Sequence, residues 1–156
     1  MNFSMTELKE YQNIDFEPRI VGLVCNWSAY SGVEMAGVDK REYPASVKLI
    51  KVMCLGRLHL GLILKAFELG ADGVMLLGCP PEDCHYESGM TMAKEVFTQA
   101  KKVLDLLGID RTRLTLIEVP LGRGDLLARR VSDFVRRVSK VGSNQLCLSA
   151  ETAYPA

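Results

Sequence analysis

The sequence has no apolar run long enough to cross a bilayer; its longest, Gly73–Gly78 with its neighbours, falls far short of the ~20 residues a span needs. It has no net charge either: 19 basic residues balance 19 acidic ones, with a pI near 6.7. No overall field therefore draws nucleic acid or an anionic membrane surface. Neither G-x-G-x-x-G nor a Walker A loop occurs, which removes support for a nucleotide site of either kind. The C-x2-C knuckles typical of structural zinc are also absent. Residues 1–18 carry acids and no apolar stretch of the kind a secretory signal requires, so a cytoplasmic protein is expected.

What remains is a chain of 156 residues, 48% apolar and 24% charged, the size and composition of one self-sufficient domain. Apolar runs at Arg19–Cys25, Val47–Cys54, Gly73–Cys79 and Leu114–Val119 predict four strands, and the continuous run of the third is the pattern of a strand covered on both faces. Between them, helical spacing over His59–Leu69 (Leu60, Ile63, Leu64, Phe67) ends at Gly70. A second helix runs from an N-cap at Ser88 through Ala93, Val96, Phe97, Ala100 and Leu104 to Gly108. A third, capped by Asp125, turns Leu127, Val131, Phe134 and Val138 inward and ends at Gly142. The stretch through Gly32 and Gly37 reads as a glycine-containing loop. Strands alternating with helices predict a single three-layer α/β domain, an open parallel sheet of about four strands with flavodoxin-like or Rossmann-like order. Its body is residues 19–142, with an N-terminal extension 1–18 and a C-terminal tail 143–156.

The chemistry lies in the cysteines. Cys25, Cys54 and Cys79 each close a predicted strand, and Cys84 follows in the next loop. In open parallel sheets ligands bind beyond the carboxyl ends of the strands, so four thiols converge there. All-cysteine ligation is what iron-sulfur clusters use, and C-x4-C from Cys79 to Cys84 is a ferredoxin-type spacing. In a reducing compartment such cysteines point to metal or redox chemistry rather than disulfides. Two other readings stay open. Cys25 and Ser28 form C-x-x-S, the outline of a monothiol redox enzyme, and the cysteines can also be core filler or a zinc-binding scaffold. Arg57 and His85 stand beside the thiols, where a cation or a hydrogen-bond donor would stabilise negative charge. Cys147 lies in the polar tail and is read as incidental. From Arg111 to Lys140, eight basic residues outnumber Glu118, Asp125 and Asp133, a solvated helix face or a docking surface for an acidic partner.

Three motifs carry a resemblance: Cys25-Asn26-Trp27 followed by Tyr30; Val52-Met53-Cys54 followed by Gly56-Arg57; and Gly78-Cys79 followed by Pro81, Asp83-Cys84-His85-Tyr86 and Ser88-Gly89. Over Ile20 to Gly142 the chain resembles the delta iron-sulfur subunit family of methyl-viologen-reducing hydrogenase. The resemblance implies a 2Fe-2S cluster on Cys25, Cys54, Cys79 and Cys84. It also implies electron transfer between a hydrogenase, a formate dehydrogenase or another reductase and a flavin-bearing, heterodisulfide reductase A-like subunit. The family usually has a further cysteine, and Ser28 occupies its place here.

Overall fold

A computed structural model of the chain describes residues 16–144. Four strands, β1 (Ile20–Cys25), β2 (Val47–Val52), β3 (Gly73–Gly78) and β4 (Leu114–Glu118), form one sheet in the order β2-β1-β3-β4. Every pairing is parallel; Gly22 stands beside Leu49 on one side and Met75 on the other. This order matches the flavodoxin-type arrangement and not the Rossmann one, and it places the reversal of strand order between β1 and β3.

Four helices cover the sheet: α1 (Ser28–Val38), α2 (Leu60–Glu68), α3 (Gly89–Leu106) and α4 (Gly124–Val141). Side chains alternate across β3, and its two end glycines reveal both layers. A Cβ on Gly73 would lie 3.0 Å from Phe134 and Val138 of α4, whereas one on Gly78 would lie 2.4 Å from Met90 of α3. The alternate helices α1 and α4 pack together on one face, and α2 and α3 on the other. All six residues of β3 are buried, which accounts for its continuous apolar sequence.

The segment through Gly32 and Gly37, expected as a loop, is helix α1. Its buried stripe is Ser28, Ala29, Gly32 and Ala36, small rather than strongly apolar residues, so the usual periodic signal is missing. The smallness has a packing cause. A Cβ on Gly32 would come within 2.8 Å of Val119, and one on Gly124 would fall 2.3 Å from the Ala36 backbone nitrogen. Asp125 does not cap α4; the N-cap position is Arg123, and Asp125 sits in the first turn, bonded to Arg123 and Arg129. Two strands also end earlier than expected, β2 at Val52 and β3 at Gly78, leaving Cys54 and Cys79 in the loops just beyond.

At the opposite end of the strands the buried Asp72 accepts hydrogen bonds from the backbone amides of Arg19 (2.8 Å) and Asn144 (2.7 Å). Arg113, also buried, donates to the carbonyls of Asp72, Gly142 and Ser143. This arginine is therefore a structural tie and not part of the basic surface. Much of the rest of that charge run is paired: Arg111 with Asp105, Arg123 and Arg129 with Asp125, and Arg136 with Asp133. The surface is a solvated helix face more than a bare cationic patch. No helix among the described residues is long and apolar enough to cross a membrane.

Candidate metal centre

Cys25 is the last residue of β1, and Cys79 follows the last residue of β3, so the two flank the point where strand order reverses. Their Sγ atoms lie 3.4 Å apart, both side chains all but fully buried. The Cys25 thiol also donates weakly to the Met53 carbonyl at 3.8 Å. Burial pushes the Cys25 pKa up to about 12; a hydrogen bond from the Trp27 amide opposes this, and the neighbouring thiols Cys79 and Cys54 reinforce it. Such a thiol is a poor nucleophile near neutrality, which speaks against a monothiol enzyme built on Cys25.

Cys54 occupies the N-cap position of the short turn Leu55–Arg57, and its sulfur accepts the Gly56 amide at 3.3 Å. That turn packs glycine to glycine on the start of α3: a Cβ on Gly56 would stand 2.7 Å from the Gly89 Cα. The contact seats Cys54 at the N-terminus of α3, and Cys84, half-buried, reaches the same point from its loop. A Cβ on Gly89 would lie 2.6 Å from the Cys54 sulfur and 3.0 Å from the Cys84 sulfur. Ser88 makes no side-chain cap and the first turn of α3 holds no acid, so the helix end is left to favour negative charge at these sulfurs.

The Cys25 and Cys79 sulfurs thus meet directly, the Cys54 and Cys84 sulfurs both border the space beside Gly89, and Cys54 is close enough to Cys25 to act on its thiol. Among the described residues no three His, Cys, Asp or Glu side chains gather closely enough to hold a single metal ion. The donor set nevertheless fits an iron-sulfur cluster. It is all thiol, largely buried, and cradled against a glycine whose Cβ would fill the space. Two buried polar atoms near Cys25, the Trp27 indole nitrogen and the Ser28 hydroxyl, have no protein partner.

The remaining expected residues fall around this centre. Ser28 begins α1 and is buried. Arg57 ends the turn after Cys54 with an exposed side chain. His85 is exposed and stacks on Trp27, ring centroids 3.6 Å apart. His59 caps α2 by accepting the Gly61 amide at 3.0 Å. Cys147 and residues 1–15 and 145–156 of the expected tails lie outside the described residues. The sequence reading missed Gly56 and Gly89 as site residues; both stand in the motifs quoted above, but only the packing exposes their role.

A flavodoxin-type parallel sheet with four thiols gathered beyond its strand ends is the class of domain that the fold and the site define. Residues 20–142 match the family described as methyl-viologen-reducing hydrogenase, delta subunit, and the chain belongs to that family. It is 38% identical over 128 residues to the iron-sulfur subunit of the vhc F420-non-reducing hydrogenase of Methanococcus voltae, covering 82% of this chain and 89% of that one. The corresponding iron-sulfur subunit of the F420-non-reducing hydrogenase of Archaeoglobus profundus is 37% identical, covering 82% and 93%. A third relative is much longer. It belongs to the ferredoxin/F420H2-dependent CoB-CoM heterodisulfide reductase of Methanosarcina acetivorans and is 30% identical over 138 residues, 88% of this chain but 17% of its own length.

Proposed function

We propose that this chain is a cytoplasmic electron-relay subunit of a hydrogenase, formate dehydrogenase or related reductase complex. It holds one 2Fe-2S cluster on Cys25, Cys54, Cys79 and Cys84 and binds no organic substrate of its own. Electrons would pass to a flavin-bearing, heterodisulfide reductase A-like subunit. The gathering of four thiols beyond the strand ends, with no C-x2-C knuckle of the zinc type, supports the reading, because iron-sulfur clusters take all-cysteine ligation. Bound there, such a group supplies reversible one-electron transfer.

The chain's own residues set the conditions for that chemistry. Leu55 and Met90 are fully buried behind the thiols and keep water out. The amides of Gly56 and Trp27 donate to ligand sulfurs, a contact that raises a reduction potential by stabilising the more negative state. Cys84 is the least buried of the four, with Met53 and Tyr86 exposed nearby, so this side is the natural exit toward a partner. The similarity to a short part of a longer heterodisulfide reductase polypeptide supports that partner: the same kind of domain occurs there within one chain carrying that enzyme's name.

Anaerobic reconstitution tests the reading. The full chain should bind about two irons and two sulfides, and replacing any one of Cys25, Cys54, Cys79 or Cys84 with serine should lower the yield or change the spectrum. Colourless, iron-free protein after reconstitution would reject it. Zinc as the sole bound metal would support a structural scaffold instead.

A further inference from the structure

Three of the four thiols are fixed by burial in the sheet and the turn behind it, but Cys84 is not. Its neighbours Glu82, Asp83, His85, Tyr86, Glu87 and Ser88 are all exposed, and Glu87 takes a left-handed φ of 54°. Packing alone does not hold such a loop to the tolerance a ligand set needs. The ties on its outer side are aromatic. The His85 ring lies on the Trp27 indole at 3.6 Å and 19°, and Tyr86 stands edge-on to both, 6.1 Å from Trp27 and 4.9 Å from His85.

Trp27 is itself anchored. Its amide lies close enough to the Cys25 sulfur to lower that thiol's pKa, and its carbonyl accepts the Ser31 amide at 3.2 Å in the first turn of α1. Its buried indole nitrogen has no acceptor, so ring contacts and not a hydrogen bond orient the indole. The stack therefore joins the loop that carries Cys84 to the strand end that carries Cys25.

We infer that Trp27 and His85 are positioning residues whose stacked rings hold the Cys84 loop against Cys25 and so complete the four-thiol set. The inference rests on the iron-sulfur reading above, and its test separates the two. The full-length wild type is compared with Trp27→Ala, Trp27→Phe and His85→Ala. Trp27 is the single tryptophan of the sequence, so its emission in iron-free protein reports directly on the stack.

In iron-free protein, His85→Ala should change that emission and speed alkylation of Cys84, mapped by peptide mass, while the melting temperature stays put because His85 is exposed. In reconstituted protein both alanine variants should release iron to a chelator about tenfold faster than wild type, the scale on which outer contacts tune metal sites. The spectrum of the reduced centre should shift, and Trp27→Phe, which keeps a stacking ring, should restore wild-type behaviour. A His85→Ala protein with altered Trp27 emission but wild-type Cys84 alkylation and iron release overturns the inference. Should Trp27→Ala fail to fold, the His85→Ala arm decides alone. A wild type that takes up no iron rejects the parent reading, and the alkylation arm still decides this one.

Discussion

The Cys25 and Cys79 sulfurs lie 3.4 Å apart where β1 and β3, hydrogen-bonded neighbours at the centre of the sheet, run out. Burial raises the Cys25 pKa to about 12 and keeps that thiol protonated near neutrality, while Cys84 is the thiol that solvent reaches. Alkylation follows the thiolate and its exposure. In iron-free protein at pH 8, iodoacetamide should label Cys84 before Cys25, with Cys25 slower by about a hundredfold or more. Time-resolved peptide mapping checks the order, and a Cys25 that reacts first would revive the monothiol enzyme.

The same shift fixes a pH window for stability. A folded pKa above the unfolded value of about 8.5 means that the native state holds its proton more tightly. The contribution is complete below that value and is lost as pH climbs toward 12. Iron-free protein should therefore lose melting temperature steadily above about pH 9, and Cys25→Ala should flatten that slope. An equal slope in the variant would assign the alkaline loss to other groups.

Helix α1 offers a contrast between two glycines. Nothing stands within 4 Å of a Cβ built on Gly37, so Gly37→Ala should stabilise the fold by about 0.5 kcal/mol through lost unfolded-state entropy. A Cβ on Gly124, on the facing helix α4, would fall 2.3 Å from the Ala36 backbone nitrogen, and backbone cannot swing aside as a side chain can. Gly124→Ala should cost about 3 kcal/mol. Urea titration of the two proteins measures both.

That contrast also explains what the sequence revealed and what it hid. Strands β1 and β3 and helices α2, α3 and α4 announce themselves because they bury large apolar side chains, β3 most openly with Val74, Met75, Leu76 and Leu77. Helix α1 hides because close approach to α4 selects glycine and alanine, which carry no apolar signal. The thiol set was legible as residues at strand ends. Its arrangement was not, since Cys54 and Cys84 come to the same side of Gly89 only through the contact of Gly56 with Gly89, 33 residues apart in the chain. His85 was legible as a neighbour of the thiols, but the stacking of its ring on Trp27 was not, being a contact between loops that local sequence does not encode.

Asp72 ties three distant segments at the amino-terminal end of the strands, away from the thiols. Replacing it with alanine leaves the Arg19 and Asn144 amides without their acceptor, at a cost of about 3 kcal/mol for the two bonds together. Asp72→Asn keeps one acceptor and should lose about half as much. Because Asp72 precedes β3 and Cys79 follows it, the reconstituted variants should melt lower with an unchanged visible spectrum. A changed spectrum would mean that the two ends of the strands are coupled.

Gly89 separates site from fold in the opposite sense. Its missing Cβ leaves the space where the Cys54 and Cys84 sulfurs meet, at 2.6 and 3.0 Å. In Gly89→Ala the added methyl pushes those side chains outward, and alanine suits the first turn of α3 better than glycine does. The helical gain of up to about 1 kcal/mol then offsets much of the crowding, so the iron-free protein should melt within a few degrees of wild type. Iron uptake should fall sharply, because a ligand shell tolerates displacements of only about half an ångström. Measuring iron content and melting temperature on the same preparation distinguishes the outcomes. Full iron content in Gly89→Ala would show that Cys54 and Cys84 do not need to meet at this point to bind the metal.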